Sequence, residues 1–99
     1  MIYRSKAPLR IGLAGGGTDV SPYCDLYGGA ILNATISLSA YASIEVLDKP
    51  VIIVEALDRK ESEQYDWMPQ LPINGKLDLL KGVYNRIQRE YNPAPTGIR

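Results

Sequence analysis

The chain has 99 residues, of which 45% are hydrophobic and 22% are charged, and its formal net charge is zero. This length allows one small domain with a real core, and the balanced charge gives no indication of nucleic acid or an anionic membrane as a partner. No apolar stretch is long enough for a membrane-spanning helix or typical of a signal peptide, so we expect a cytoplasmic protein.

The first predicted element is extended, covers residues 2–14 and is interrupted at Pro8. Within it Leu9, Ile11 and Leu13 alternate with polar or small residues, which is typical of a strand. Three consecutive glycines, residues 15–17, then lead into Thr18 and Asp19.

A short helix is predicted next, over residues 21–27. Ser21 followed by Pro22 is typical of a helix start, because serine can cap and proline suits the first helical position. Gly28 and Gly29 are expected to end this helix.

The middle of the chain predicts three strands joined by short turns. Residues 30–39 alternate between apolar and polar, with Asn33 and Thr35 on the polar face, and residues 42–46 continue the alternation as a second strand. Residues 51–57 form the third, and short turns favour antiparallel pairing. Residues 58–75 are polar and contain two prolines, which indicates a loop or irregular edge.

The last predicted helix covers residues 76–91. Its apolar face would hold Leu77, Leu80, Tyr84, Ile87 and Tyr91, with Lys81, Arg86, Gln88 and Arg89 largely off that face. Gly82 weakens the helix without breaking it. After Pro93 and Pro95, a further strand is expected to begin near Ile98. This order of elements predicts an α+β fold with a mostly antiparallel sheet.

The composition narrows the chemistry open to this chain, because it has no histidine and a single cysteine, Cys24. An internal disulfide, a clustered-cysteine zinc site and a paired Cys and His nucleophile are all excluded. We expect Cys24 to be a buried or half-buried structural thiol. Any catalysis must use Asp, Glu, Lys, Arg, Tyr or backbone amides.

The glycine run does not match either common phosphate-binding loop. The dinucleotide pattern G-x-G-x-x-G fails at Val20. The spacing of Gly12 and Gly17 suits a P-loop, but Thr18 and Asp19 stand where lysine and a hydroxyl residue are required. A carboxylate at this point would repel phosphate.

Asp19 is better suited to sugar hydroxyls, since one ionised carboxylate can accept hydrogen bonds from two of them. Arg10 could orient that carboxylate or contact a phosphoryl oxygen. The alternative is a tight turn in which Asp19 or Ser21 caps the helix and Arg10 is a surface residue.

Residues 7–36, "APLRIGLAGGGTDVSPYCDLYGGAILNATI", resemble the first motif of the GHMP kinases, in the sugar-kinase branch that acts on heptoses and fucose. The resemblance implies the N-terminal part of a ribosomal protein S5 domain 2-like fold, with a mostly antiparallel sheet and helices on one side. It also implies ATP-dependent phosphorylation of a heptose or heptose phosphate at the anomeric hydroxyl, with Mg²⁺.

The resemblance assigns roles to individual residues. Arg10 would be catalytic and Asp19 would bind sugar hydroxyls. The substrate-binding set also includes Gly15, Gly16, Gly17 and Thr18, with Gly16 and Gly17 making room for a bulky sugar. Asn33 and Thr35 would lie near the nucleotide or sugar cleft and bind the cofactor, and no residue is assigned to a metal.

The family's second glycine motif, which holds the ATP phosphates, has no counterpart in residues 1–99, and neither has its C-terminal domain. We therefore expect an N-terminal portion of a kinase that is inactive alone and has an unfinished sheet edge prone to self-association. The alternative is a non-catalytic sugar-binding or interaction module with the same fold.

Two other clusters are open to two interpretations. Glu61, Glu63 and Asp66 could bind a cation, but a solvated loop is favoured. Tyr65 and Trp67 could stack on a sugar or an adenine, but packing of the loop is favoured.

Overall fold

The computed structural model describes residues 1–91 and 94–99. The strands are β1 (Ile2–Ala14), β2 (Leu32–Leu47), β3 (Val51–Ala56), β4 (Glu61–Asp66) and β5 (Gly97–Ile98), and the helices are α1 (Tyr23–Tyr27) and α2 (Asp78–Tyr91). The hydrogen-bonded strand order is β1-β2-β5-β3-β4. The α+β class predicted from the sequence is confirmed. Of the segment that follows the last helix, Asn92 and Pro93 lie outside the described residues.

The sheet is mixed because the last strand pairs differently with its two neighbours. β5 runs antiparallel to β2, with Val46 opposite Ile98, and parallel to β3, with Ile52 opposite Ile98. β3 and β4 pair antiparallel over their full length. The strand expected near Ile98 is confirmed, although it lies inside the sheet and not at an open edge.

Three element predictions were wrong. β1 runs through Pro8 without interruption, and the two strands predicted between residues 30 and 46 are one continuous strand, β2. The predicted loop over residues 58–75 contains β4, whose charged and polar side chains conceal a strand that pairs with the apolar β3.

The chain divides into two units, which are described separately: Arg4–Ala42, and Met1–Tyr3 with Ser43–Arg99. The second unit contains the core, in which Ile52, Val54, Leu71 and Leu77 are buried. Tyr65 and Trp67 pack against this core, which confirms the packing interpretation of the aromatic pair.

The buried face of α2 differs from the predicted apolar face. Leu77, just before the helix, is buried as predicted, but within α2 the buried side chains are Lys81 and Gln88, while Leu80 and Ile87 are exposed. Lys81 can be buried because its Nζ has hydrogen-bonding partners within the unit. Its Nζ donates to Asn74 Oδ1 at 2.6 Å and to Glu63 Oε2 at 3.0 Å, so its charge is compensated inside the unit.

The Glu63 carboxylate also accepts a hydrogen bond from Tyr65 Oη at 2.6 Å. The hydrogen bonds from Tyr65 and Lys81 hold the pKa of Glu63 below its ordinary value of 4.5. Burial acts to lower the pKa of Lys81, but the contact with Glu63 outweighs it and leaves that pKa raised. Glu63 is therefore the negatively charged partner of the buried Lys81 in α2.

Candidate functional site

The candidate site is the glycine turn, residues 15–19, which lies between β1 and α1 in the Arg4–Ala42 unit. The backbone N–H of Thr18 donates to the carbonyl oxygen of Gly15 at 3.1 Å, which closes the turn. Gly15 and Gly17 have φ angles of 77° and 87°, in the left-handed region that side chains disfavour. The conformation itself therefore requires two of the three glycines.

The hydroxyl of Thr18 fixes the turn to the segment that precedes β2. Thr18 Oγ1 lies 2.7 Å from the carbonyl oxygen of Gly15 and 3.0 Å from that of Ala30, and it accepts from the N–H of Ala30 at 3.2 Å. Its hydrogen-bonding capacity is thus directed to the backbone. A contact with substrate remains a prediction for Thr18.

Close backbone approach explains two glycines on the facing segments. A Cβ at Gly15 would overlap the carbonyl oxygen of Ala30, and a Cβ at Gly29 would overlap that of Thr18. From the sequence, Gly29 is expected only to end the helix. Nothing in the sequence pattern indicates that the residue after it, Ala30, hydrogen-bonds Thr18.

Gly16 differs from its neighbours. Its φ is outside the left-handed region, and a Cβ added there would meet no heavy atom within 4 Å. Neither backbone strain nor packing within the chain requires glycine at this position. Open space at a glycine is what the approach of a ligand to the backbone would need.

Asp19 follows the turn and is exposed. Among residues 1–91 and 94–99, its carboxylate has no hydrogen bond or ion pair, and Arg10, exposed on β1, likewise pairs with no carboxylate. The pairing of Arg10 with Asp19, considered as one role for the arginine, is absent from the described residues. Asn33 is half-buried and Thr35 exposed on β2, and no described contact joins either side chain to Arg10 or Asp19.

The short helix α1 begins later than predicted. Its N-cap is Pro22, and no side chain caps it, so helix capping by Asp19 or Ser21 is wrong, while the tight turn and the exposed Arg10 of that alternative are confirmed. The hydroxyl of Ser21 instead donates to the Asp25 carboxylate. Gly28 ends the helix with a φ of 70°, as predicted, and Cys24 is half-buried.

The turn does not fit the phosphates of ATP. The amide of Thr18 is already used by Gly15, and residue 19 is an acid, whose carboxylate would repel phosphate. In the described part of the chain, no group of three or more cysteine or acidic side chains could hold a metal ion, and no helix is long and apolar enough to cross a membrane.

No family model matches the chain. It is 42% identical over 92 residues to the D-glycero-alpha-D-manno-heptose 7-phosphate kinase of Campylobacter jejuni, a match that covers 93% of this chain and 27% of that protein.

Two solved structures are similar along nearly the whole chain. The crystal structure of a D-glycero-D-manno-heptose 1-phosphate kinase from Bacteriodes thetaiotaomicron superposes with a TM-score of 0.85 at 54% identity, covering 99% of this chain and 32% of that one. A putative sugar kinase from Campylobacter jejuni gives a TM-score of 0.78 at 39% identity and covers 98% and 32%. The resemblance to heptose-phosphate kinases is therefore confirmed, over a span of about a third or less of their length.

Proposed function

We propose that this chain is the N-terminal, sugar-facing part of an ATP-dependent heptose-phosphate kinase of the GHMP superfamily, acting in the cytoplasm on the anomeric hydroxyl. The observation that carries the proposal is the juxtaposition of Gly16, which borders open space, with Asp19, whose exposed carboxylate has no partner among the described residues. The similarity to two heptose-phosphate kinases supports the same substrate class.

The turn would act by binding and orienting the sugar. The Asp19 carboxylate would accept hydrogen bonds from two neighbouring hydroxyls, while Gly16 lets the ring approach the backbone. Because Thr18 holds the turn in place before the sugar arrives, little conformational entropy is lost when it binds.

Arg10 would place positive charge beside the phosphoryl group. ATP would supply the phosphoryl group, and Mg²⁺ would neutralise its charge. Because the glycine turn does not fit the ATP phosphates, the polypeptide that corresponds to the rest of the relatives would hold both. Asn33 and Thr35 would contribute to the nucleotide side.

The test is a chimaera in which this chain replaces the matching segment of the Campylobacter jejuni heptose 7-phosphate kinase. We expect ATP-dependent phosphorylation of D-glycero-D-manno-heptose 7-phosphate, with the new phosphate coupled to the anomeric proton in the NMR spectrum. The 99-residue chain alone should give no product.

Asp19→Asn in the chimaera should lower kcat/KM by about 10- to 100-fold, because it weakens charge-assisted hydrogen bonds worth about 1.5–3 kcal/mol. Asp58→Asn is the matched control, since Asp58 is an exposed acid in the turn after β3. Equal activity of the two variants would contradict the role of Asp19. A folded but inactive chimaera, with sugar binding retained by the chain, would favour the non-catalytic module.

A further inference from the structure

The outward face of α2 carries a continuous row of aliphatic side chains. Leu79, Leu80, Val83 and Ile87 are spaced so that they lie side by side on one face of the helix, and we call them the α2 stripe. Leu79 is 81% exposed, Val83 57% and Ile87 48%. The side chains that α2 buries within its own unit include Lys81 and Gln88.

This distribution is the reverse of that in an ordinary surface helix, which buries its aliphatic residues and exposes its polar ones. Beside the stripe, Arg86 forms an ion pair with Glu90 at 2.6 Å, and Arg89 lies 3.5 Å from the same carboxylate oxygen. A helix with one buried face and a second, exposed apolar face beside it is typical of a helix that packs against more than one partner.

We infer that the α2 stripe docks the polypeptide that corresponds to the portion of a heptose-phosphate kinase outside the matched segment. The occupant is chosen on length: this chain superposes at a TM-score of 0.85 on a kinase of which it covers only 32%. That kinase therefore holds about two thirds of its chain beyond the match, which is ample polypeptide to cover a stripe of four residues. The inference rests on the proposed function for the identity of the occupant.

Leu79→Lys tests the stripe without threatening the fold of the isolated chain, because this side chain is already largely in solvent. Leu57→Lys is the matched control, since Leu57 is 83% exposed in the turn between β3 and β4 and lies outside the stripe. Both variants are made in the isolated 99-residue chain and in the chimaera, and the melting temperature Tm is measured without sugar or ATP.

We expect Leu79→Lys to lower the Tm of the chimaera by several degrees and to leave that of the isolated chain unchanged, while Leu57→Lys changes neither. An unchanged chimaera Tm, or a chimaera that does not fold with the native stripe, would overturn the inference. So would a lower Tm of the isolated Leu79→Lys chain, which would indicate a cover within the chain itself. An isolated chain that is dimeric until Leu79→Lys is introduced would identify a second copy as the occupant. Failure of sugar phosphorylation with the Tm result intact would count against the proposed function alone.

Discussion

At the scale of single residues, the three glycines of the turn have different physical roles. Gly15 combines a positive φ with contact against the Ala30 carbonyl, and Gly17 has a positive φ in open space. Gly16 has neither constraint. No contact among the described residues therefore requires glycine at position 16, and the approach of a sugar there is part of the proposed function.

This difference makes a prediction about two alanine variants. Gly15→Ala should lower the free energy of unfolding by about 2 kcal/mol or more, because it adds backbone strain and a steric overlap. Gly16→Ala should leave stability within about 0.5 kcal/mol of wild type and weaken heptose-phosphate binding. Urea denaturation and a binding titration measure the two effects. Equal stability of the two variants would contradict this division of roles.

Thr18 illustrates what the sequence alone could not supply at this scale. The resemblance includes Thr18 among the substrate-binding residues, and that contact remains a prediction. The structure adds that its hydroxyl bonds Gly15 and Ala30, and Ala30 is twelve residues away in the chain. A contact over that separation depends on how the chain folds back, which local spacing does not encode.

At the scale of elements, the junction between β4 and α2 contains a buried lysine that pairs with Glu63 and Asp78. Lys81 is fully buried and its Nζ reaches Glu63 and Asn74. Hydropathy alone places a lysine on the solvent face, so the predicted position of Lys81 was wrong, whereas Leu77 and Tyr84 contact the core as predicted. Lys81 is buried because it contacts Glu63 on β4 and Asn74 in the loop before α2.

The pKa of Glu63 gives this junction a pH dependence. Because the folded-state pKa is depressed, the stabilisation is fully present above the unfolded value of about 4.5 and is lost as the pH falls through the lower folded value. The gap in free energy of unfolding between wild type and Glu63→Gln should therefore be widest near neutral pH and should narrow in acid.

Urea denaturation at a series of pH values between about 7 and 3 measures this gap. Tyr65→Phe supplies the companion variant, since Tyr65 makes the largest contribution to the lowered pKa of Glu63. It should move the loss of stability to higher pH. A gap between wild type and Glu63→Gln that stays constant across the series would exclude this role of the carboxylate.

At the scale of the whole molecule, the sequence predicted the α+β class, the glycine turn, α1, α2 and the short last strand. It missed β4 because strand pairing with β3 outweighs the weak strand propensity of the charged segment Glu61–Asp66. Both units expose large apolar side chains, among them Leu13 in one and Leu79 in the other. This exposure is in keeping with a chain that spans about a third or less of the kinases it resembles.

The central claim is that the glycine turn binds a heptose phosphate through Asp19, and an NMR titration of the isotopically labelled 99-residue chain with D-glycero-D-manno-heptose 7-phosphate tests it most directly. We predict saturable shifts of the Gly16, Gly17 and Asp19 amides that are lost in Asp19→Asn and kept in Asp58→Asn. Shifts confined to other residues, or unchanged in Asp19→Asn, would contradict it.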